Sequence, residues 1–113
     1  MSPLDLFKSL SDQTRLQSLL LIHQEQELCV CELMEALDLS QPKVSRHLAL
    51  LREAELLQAE RRGQWIFYRL STSLETWALA VIKQAAEHTN LRHITFRLSE
   101  MGERPERTQQ CCT

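Results

Sequence analysis

Two thiols stand two residues apart in the stretch Glu27-Leu28-Cys29-Val30-Cys31-Glu32-Leu33. Thiolates are soft ligands, suited to As(III), Sb(III), Cd(II), Zn(II) or Cu(I). Cys29 and Cys31 are therefore read as ligands, against the plainer reading of two small buried hydrophobes. A helix N-terminus lowers a thiol's pKa, and Glu27 and Glu32 act in the opposite sense. The spacing itself carries a constraint. Residues i and i+2 lie about 200° apart around an α-helix, so two such sulfurs cannot grip one atom while the turn stays helical. A second chemically able group follows in Ser40-Gln41-Pro42-Lys43-Val44-Ser45-Arg46-His47-Leu48. Ser40, Gln41, Lys43, Ser45, Arg46 and His47 place polar and basic side chains where a helix would enter a DNA groove. The amide of Gln41 can read a base edge. Arg61, Arg62 and Gln64 make a third group, aimed at phosphate or the minor groove, against the plainer reading of a solvated hairpin tip.

The elements that must position these groups come next. Leu4, Phe7 and Leu10 recur at helical spacing. Ser11 or Asp12 is expected to cap a second helix, with Leu16, Leu19 and Leu20 inward, fading out over 23–27. A third helix is expected from about Cys29 to Leu37, with Leu33, Met34 and Leu37 on one face. Its start lacks a standard cap, so its first turn should deform easily. Ser40 can cap a fourth helix, whose first turn tolerates Pro42. Val44, Leu48 and Leu51 form its buried stripe. Two short helices joined by a tight turn make a helix-turn-helix.

After Glu55 the period changes. Residues 57–60 and 66–70 read as two strands with Gly63 in the turn between them. A basic hairpin after a helix-turn-helix is the layout of a winged helix. Ser71 or Ser73 is then expected to open a long helix striped with Leu74, Trp77, Ala78, Val81, Ile82 and Ala85. A core this small hardly needs that stripe. Leu74, Trp77, Ala78, Val81 and Ile82, together with Leu4 and Phe7, are therefore expected at a subunit interface. Leu91, Ile94, Leu98 and Met101 keep helical spacing beyond it. The fold class is mostly α with a small β-hairpin, a winged helix-turn-helix homodimer. Residues 1–94 are expected to form one DNA-binding and dimerisation domain, with 95–113 a partly disordered extension.

At 113 residues, 43% apolar and 25% charged, the chain has the balance of an ordinary soluble protein. A net charge of -2 argues weakly against nucleic acid until it is divided along the chain. Residues 1–39 hold two basic and seven acidic side chains, whereas 40–70 hold six basic and three acidic. The positive charge is concentrated where a DNA footprint should be. There is no membrane-span pattern and no signal-peptide pattern at the N-terminus. The cytoplasm is the expected location, where thiols stay reduced and four cysteines point to metal, metalloid or redox chemistry.

With those blocks in place, the chain resembles the ArsR–SmtB family of bacterial winged-helix metal and metalloid sensors over roughly residues 4–90. The blocks that carry it are Leu10-Ser11-Asp12-Gln13-Thr14-Arg15-Leu16, Glu27–Leu33, Ser40–Leu48 and Arg62-Gly63-Gln64-Trp65. The Cys-Val-Cys stretch looks like the arsenic-responsive branch. The resemblance implies a homodimer joined through its first and last helices. It implies binding to double-stranded operator DNA in the apo form, with no cofactor needed, and release when As(III) or Sb(III) binds. One position departs. Arsenic repressors of this type often carry a third cysteine three residues after the second, and here that residue is Met34. A third ligand must then come from elsewhere or be dispensable. Cys111 and Cys112 are candidates, because a tail of about ten residues can extend about 30 Å.

The reading is thus a metalloid-responsive repressor and not an enzyme. The same thiols would also serve a redox, persulfide, Cd or Zn sensor. A dithiol oxidoreductase is a poorer fit, since it lacks Cys-x-x-Cys and any βαβ pattern. A winged helix that binds only proteins would show no salt-dependent DNA affinity.

Overall fold

A computed structural model describes residues 1–103 and Arg107. Helix α1 (Pro3–Ser9) is opened by Ser2, whose Oγ accepts the Asp5 N–H while Asp5 accepts the Ser2 N–H. Leu6 is the residue this helix buries, and Leu4 and Phe7 face outward at 74% and 56% exposure. Helix α2 (Gln13–Glu25) is capped by Asp12, which accepts the Arg15 N–H at 3.0 Å. That bond is the main reason the Asp12 carboxyl lies below its ordinary pKa. Leu19, Leu20, Leu21 and Ile22 are all fully buried, so α2 is the central helix of the core. It ends at Gln26, where a φ of 77° supplies the stop without a glycine.

The next element differs from expectation. Leu28–Cys29 is a short strand, β1, and helix α3 starts only at Val30 and runs to Leu37. Asp38 turns the chain in the left-handed region (φ 55°), and α4 follows over Gln41–Glu53. Ser40 occupies the N-cap position but makes no side-chain cap bond, contrary to its expected role. Strands β2 (Leu57–Arg62) and β3 (Trp65–Leu70) close a hairpin at Gly63-Gln64, with Arg62 opposite Trp65. Gly63 has φ 64°, which a side chain would disfavour. The sheet is antiparallel in the order β1-β3-β2, with Leu28 opposite Tyr68 and Cys29 opposite Phe67.

Helix α5 (Thr76–Glu87) starts later than expected, with Glu75 and not a serine at the cap position. Ser71 and Ser73 instead bond to each other in the preceding loop. The chain restarts as α6 (Arg92–Ser99), whose Ile94 and Leu98 join the core. The expected boundary after residue 94 therefore falls inside a packed helix. Ala78 and Ile82 are also corrected. Each is buried within this one chain, at 1% and 0% exposure, and has no surface left to offer a second. Among the described residues no helix is long and apolar enough to cross a membrane.

Candidate functional site

Cys29 sits at a junction. It is the last residue of β1, the N-cap of α3 in extended conformation (φ -93°, ψ 169°), and the register partner of Phe67 in the hairpin. Its backbone N–H donates to Oε1 of Glu32 at 2.9 Å. The Cys29 side chain in turn stands over the Glu32 N–H, so the pair forms a capping box. Sulfur is a weak acceptor, so the Glu32 half carries the cap. The start of α3 lacks a standard cap, as expected, since its N-cap is a cysteine, but Glu32 holds the turn from inside the helix. The expectation that both thiols lie on helix is corrected, because Cys29 precedes it. Cys31 is in the first turn and half-buried, whereas Cys29 is 1% exposed. Met34 is half-buried one turn further on. Among the described residues, no three His, Cys, Asp or Glu side chains gather as a metal site. Cys111 and Cys112 lie outside the described residues.

Glu32 is fully buried. Its Oε2 lies 2.6 Å from Nε of Arg107. The contact is ionic, since the Nε–H is not aligned on an acceptor. On the other side of Cys29, Glu27 binds Arg62, whose guanidinium also lies 4.0 Å above the Phe67 ring. The stretch that carries the thiols thus touches α3 at one end and the wing hairpin at the other.

On α4 the side chains separate by face. Val44, Leu48 and Leu51 are fully buried, while Gln41, Lys43 and Arg46 are exposed. Gln41 donates to Ser45 Oγ at 3.0 Å, which fixes its amide on the outer face. Ser40 is exposed before them. His47 is a correction. It is 6% exposed, with Nδ1 3.8 Å from Asp12 and no hydrogen bond, so it faces the core side and not a groove. Its place in the pattern could have shown this, since 44, 47, 48 and 51 complete one helical stripe.

On the wing, Arg61 and Gln64 are exposed, and Arg61 donates to the Gly63 carbonyl. Arg62 is committed to Glu27, with Glu60 at 3.6 Å. Glu60 also pairs with Arg69 at 3.5 Å. Arg62 stands beside the hairpin turn, yet its side chain folds back onto Glu27 and Phe67, so it braces the wing more than it probes outward.

The family model described as "Bacterial regulatory protein, arsR family" matches residues 12–59. The chain is 49% identical over 113 residues to the arsenic resistance transcriptional regulator ArsR1 of Pseudomonas putida, covering 98% of this chain and 88% of that one. It belongs to the ArsR family. A second member, the arsenical resistance operon repressor of Escherichia coli, is 54% identical over 83 residues, spanning 74% of this chain and 71% of that protein. Among solved structures of the ArsR fold, reduced HlyU from Vibrio cholerae superposes with a TM-score of 0.67 at 35% identity, covering 75% of this chain and 85% of that one. The winged-helix expectation is borne out by this likeness and by the hairpin that follows α4.

Within this ArsR-family chain, His47 makes a pH prediction. Burial is the largest cause holding its pKa below 6.5, outweighing the attraction of Asp12. The unfolded chain then takes up a proton more readily than the folded one. Stability should fall as pH drops below about 6.5. The slope should flatten in His47→Asn, read from urea midpoints between pH 7 and pH 5.

Proposed function

We propose that this chain is an arsenic-responsive transcriptional repressor that binds operator DNA as a homodimer and releases it when As(III) or Sb(III) binds Cys29 and Cys31. The names of its relatives support the inducer and the regulatory role. The observation that carries the mechanism is the triple placement of Cys29, as candidate ligand, as N-cap of α3, and as a residue of the wing's sheet.

The chemistry follows from that placement. Each thiol replaces one hydroxyl group on arsenous acid and releases one water. To share one arsenic with Cys31, the sulfur of Cys29 must leave its position over the Glu32 N–H. The capping box opens, and the first turn of α3 loses its regular geometry. α3 is the first helix of the DNA-binding pair, and Leu33 and Leu37 pack with Val44 and Leu48 of α4 in one core. A shift of α3 therefore reorients Gln41, Lys43, Ser45 and Arg46. β1 moves with Cys29, so the wing is displaced through Phe67 and the Glu27–Arg62 pair. Cys111 and Cys112 remain candidates for a third ligand. For the dimer, Leu4, Phe7 and the half-buried Leu74, Trp77 and Val81 supply the apolar surface. The N-terminal ammonium, 3.6 Å from Glu75, ties the start of the chain to α5.

The test is binding of the purified protein to the DNA upstream of its own gene, with and without arsenite. Tight, salt-dependent binding that arsenite reverses supports the reading. Binding that arsenite leaves intact, while peroxide, persulfide or Cd(II) reverses it, would move the protein to another sensing class. On the DNA side, Lys43→Ala and Arg46→Ala should each weaken binding across sequences. Each should lower the slope of log K against log salt by about one. An unchanged slope would remove that residue from the phosphate contacts.

A further inference from the structure

Helix α3 is held at both ends by arginines from the segment that follows α5. At its C-terminal end, Nε of Arg97 on α6 donates to the carbonyl of Ala36 at 2.9 Å. Carbonyls in a helix's last turn have no intrahelical donor, and Arg97 supplies one from a partly buried position. At the N-terminal end, Arg107 reaches the buried Glu32 carboxylate, whose other oxygen holds the Cys29 N–H. The Arg107 side chain is only 13% exposed. Its backbone N–H donates to the Glu103 carbonyl at 2.9 Å. On α6, Ile94 and Leu98 lie in the same buried cluster as Leu33, Ala36 and Leu37.

We infer that Arg97 and Arg107 are positioning residues that set the metalloid threshold, by clamping α3 in the regular helix that ligand capture must deform. This rests on the proposed sensing role of Cys29 and Cys31. The physics is that of a two-state equilibrium. A contact made only in the clamped state stabilises that state by its own worth, and the apparent affinity of a ligand for the deformed state falls in proportion. Removing one arginine should populate the deformed state more without making it dominant. Ligand affinity should then rise while apo DNA affinity stays nearly constant. A merely structural role would weaken DNA binding and leave no gain toward the ligand.

The experiment uses the full chain with Arg97→Ala, Arg107→Ala, Arg97→Lys and Cys111→Ser/Cys112→Ser. The two alanine variants should lower the arsenite concentration for half-release of DNA about threefold to tenfold, the worth of one hydrogen bond or charged contact. Arg97→Lys should restore part of the wild-type value. Apo DNA affinity should change less than about twofold. A second reading needs no arsenite. Cys29 must open to react, so its alkylation by iodoacetamide, followed by peptide mass spectrometry, should speed up by a similar factor. An unchanged threshold and unchanged alkylation in both alanine variants would overturn the clamp. A threshold that rises equally for Arg107→Ala and Cys111→Ser/Cys112→Ser would also overturn it, since Arg107 would then serve to deliver terminal thiols. If wild type itself ignores arsenite, the sensing role fails, and the alkylation rates still decide whether the clamp exists.

Discussion

The Cys29→Ser/Cys31→Ser double variant should bind DNA as wild type does and lose its response to arsenite. A release by about 100-fold needs about 2.7 kcal/mol of coupling between ligand and DNA. All of that coupling enters through the two sulfurs, so the variant should show less than about a twofold change. DNA affinity should survive because the substitutions are small and the main cap is kept. The Cys29 N–H donates to Glu32 through the backbone, which serine retains. A serine side chain is also a better N-cap than cysteine, so α3 should be at least as regular. The measurement is fluorescence anisotropy of labelled upstream DNA across an arsenite titration. A double variant that still releases DNA would remove both thiols from the site. The single variants are informative in order. Cys29→Ser should be the more damaging, because Cys29 alone joins the α3 cap to the wing's sheet. Equal effects of the two would show that ligand number matters and the junction does not.

Much of this arrangement is legible in the sequence, and the missed parts share a cause. The stripe of Val44, Leu48 and Leu51 declares α4, and Gly63 between two apolar runs declares the hairpin. These are local signals with a period. β1 has none, since two residues cannot show alternation, and its partner β3 lies about forty residues further on. The helical reading of Cys29 failed for that reason. Glu32 as the cap of α3 was readable in principle, as an acidic residue three beyond the N-cap. A cysteine in place of serine or threonine hid the motif. The α5 stripe reads as too large for one core, which is what places Ala78 and Ile82 at a subunit interface in the sequence. The core proved large enough, since α2 buries four consecutive large residues against its neighbours. The contacts of Arg97 and Arg107 with α3 could not be read at all. Helical spacing of Ile94 and Leu98 says that α6 packs, and not on which helix.

Leu48→Ala should cost about 2–5 kcal/mol of folding stability, the range for truncating a fully buried leucine. Leu48 has no exposed surface and lies in one cluster with residues of α2, α3 and α6. A domain of this size has about 5–15 kcal/mol in total, so the loss is a large share of it. Leu50, two residues on, is 43% exposed, and Leu50→Ala should stay within about 0.5 kcal/mol. Urea midpoints measured side by side test the pair, and a small loss at Leu48 would mean that α4 is not seated as described. The functional consequence separates stability from signalling. At a temperature where Leu48→Ala is mostly folded, its DNA affinity should drop with the reader helix's looser seating. The factor by which arsenite weakens binding should shrink, because Leu48 is part of the packing that passes a shift of α3 to α4, and only the β1–β3 route to the wing is left untouched. An unchanged factor in Leu48→Ala would mean that the wing carries the signal and the packing of α4 on α3 carries none of it.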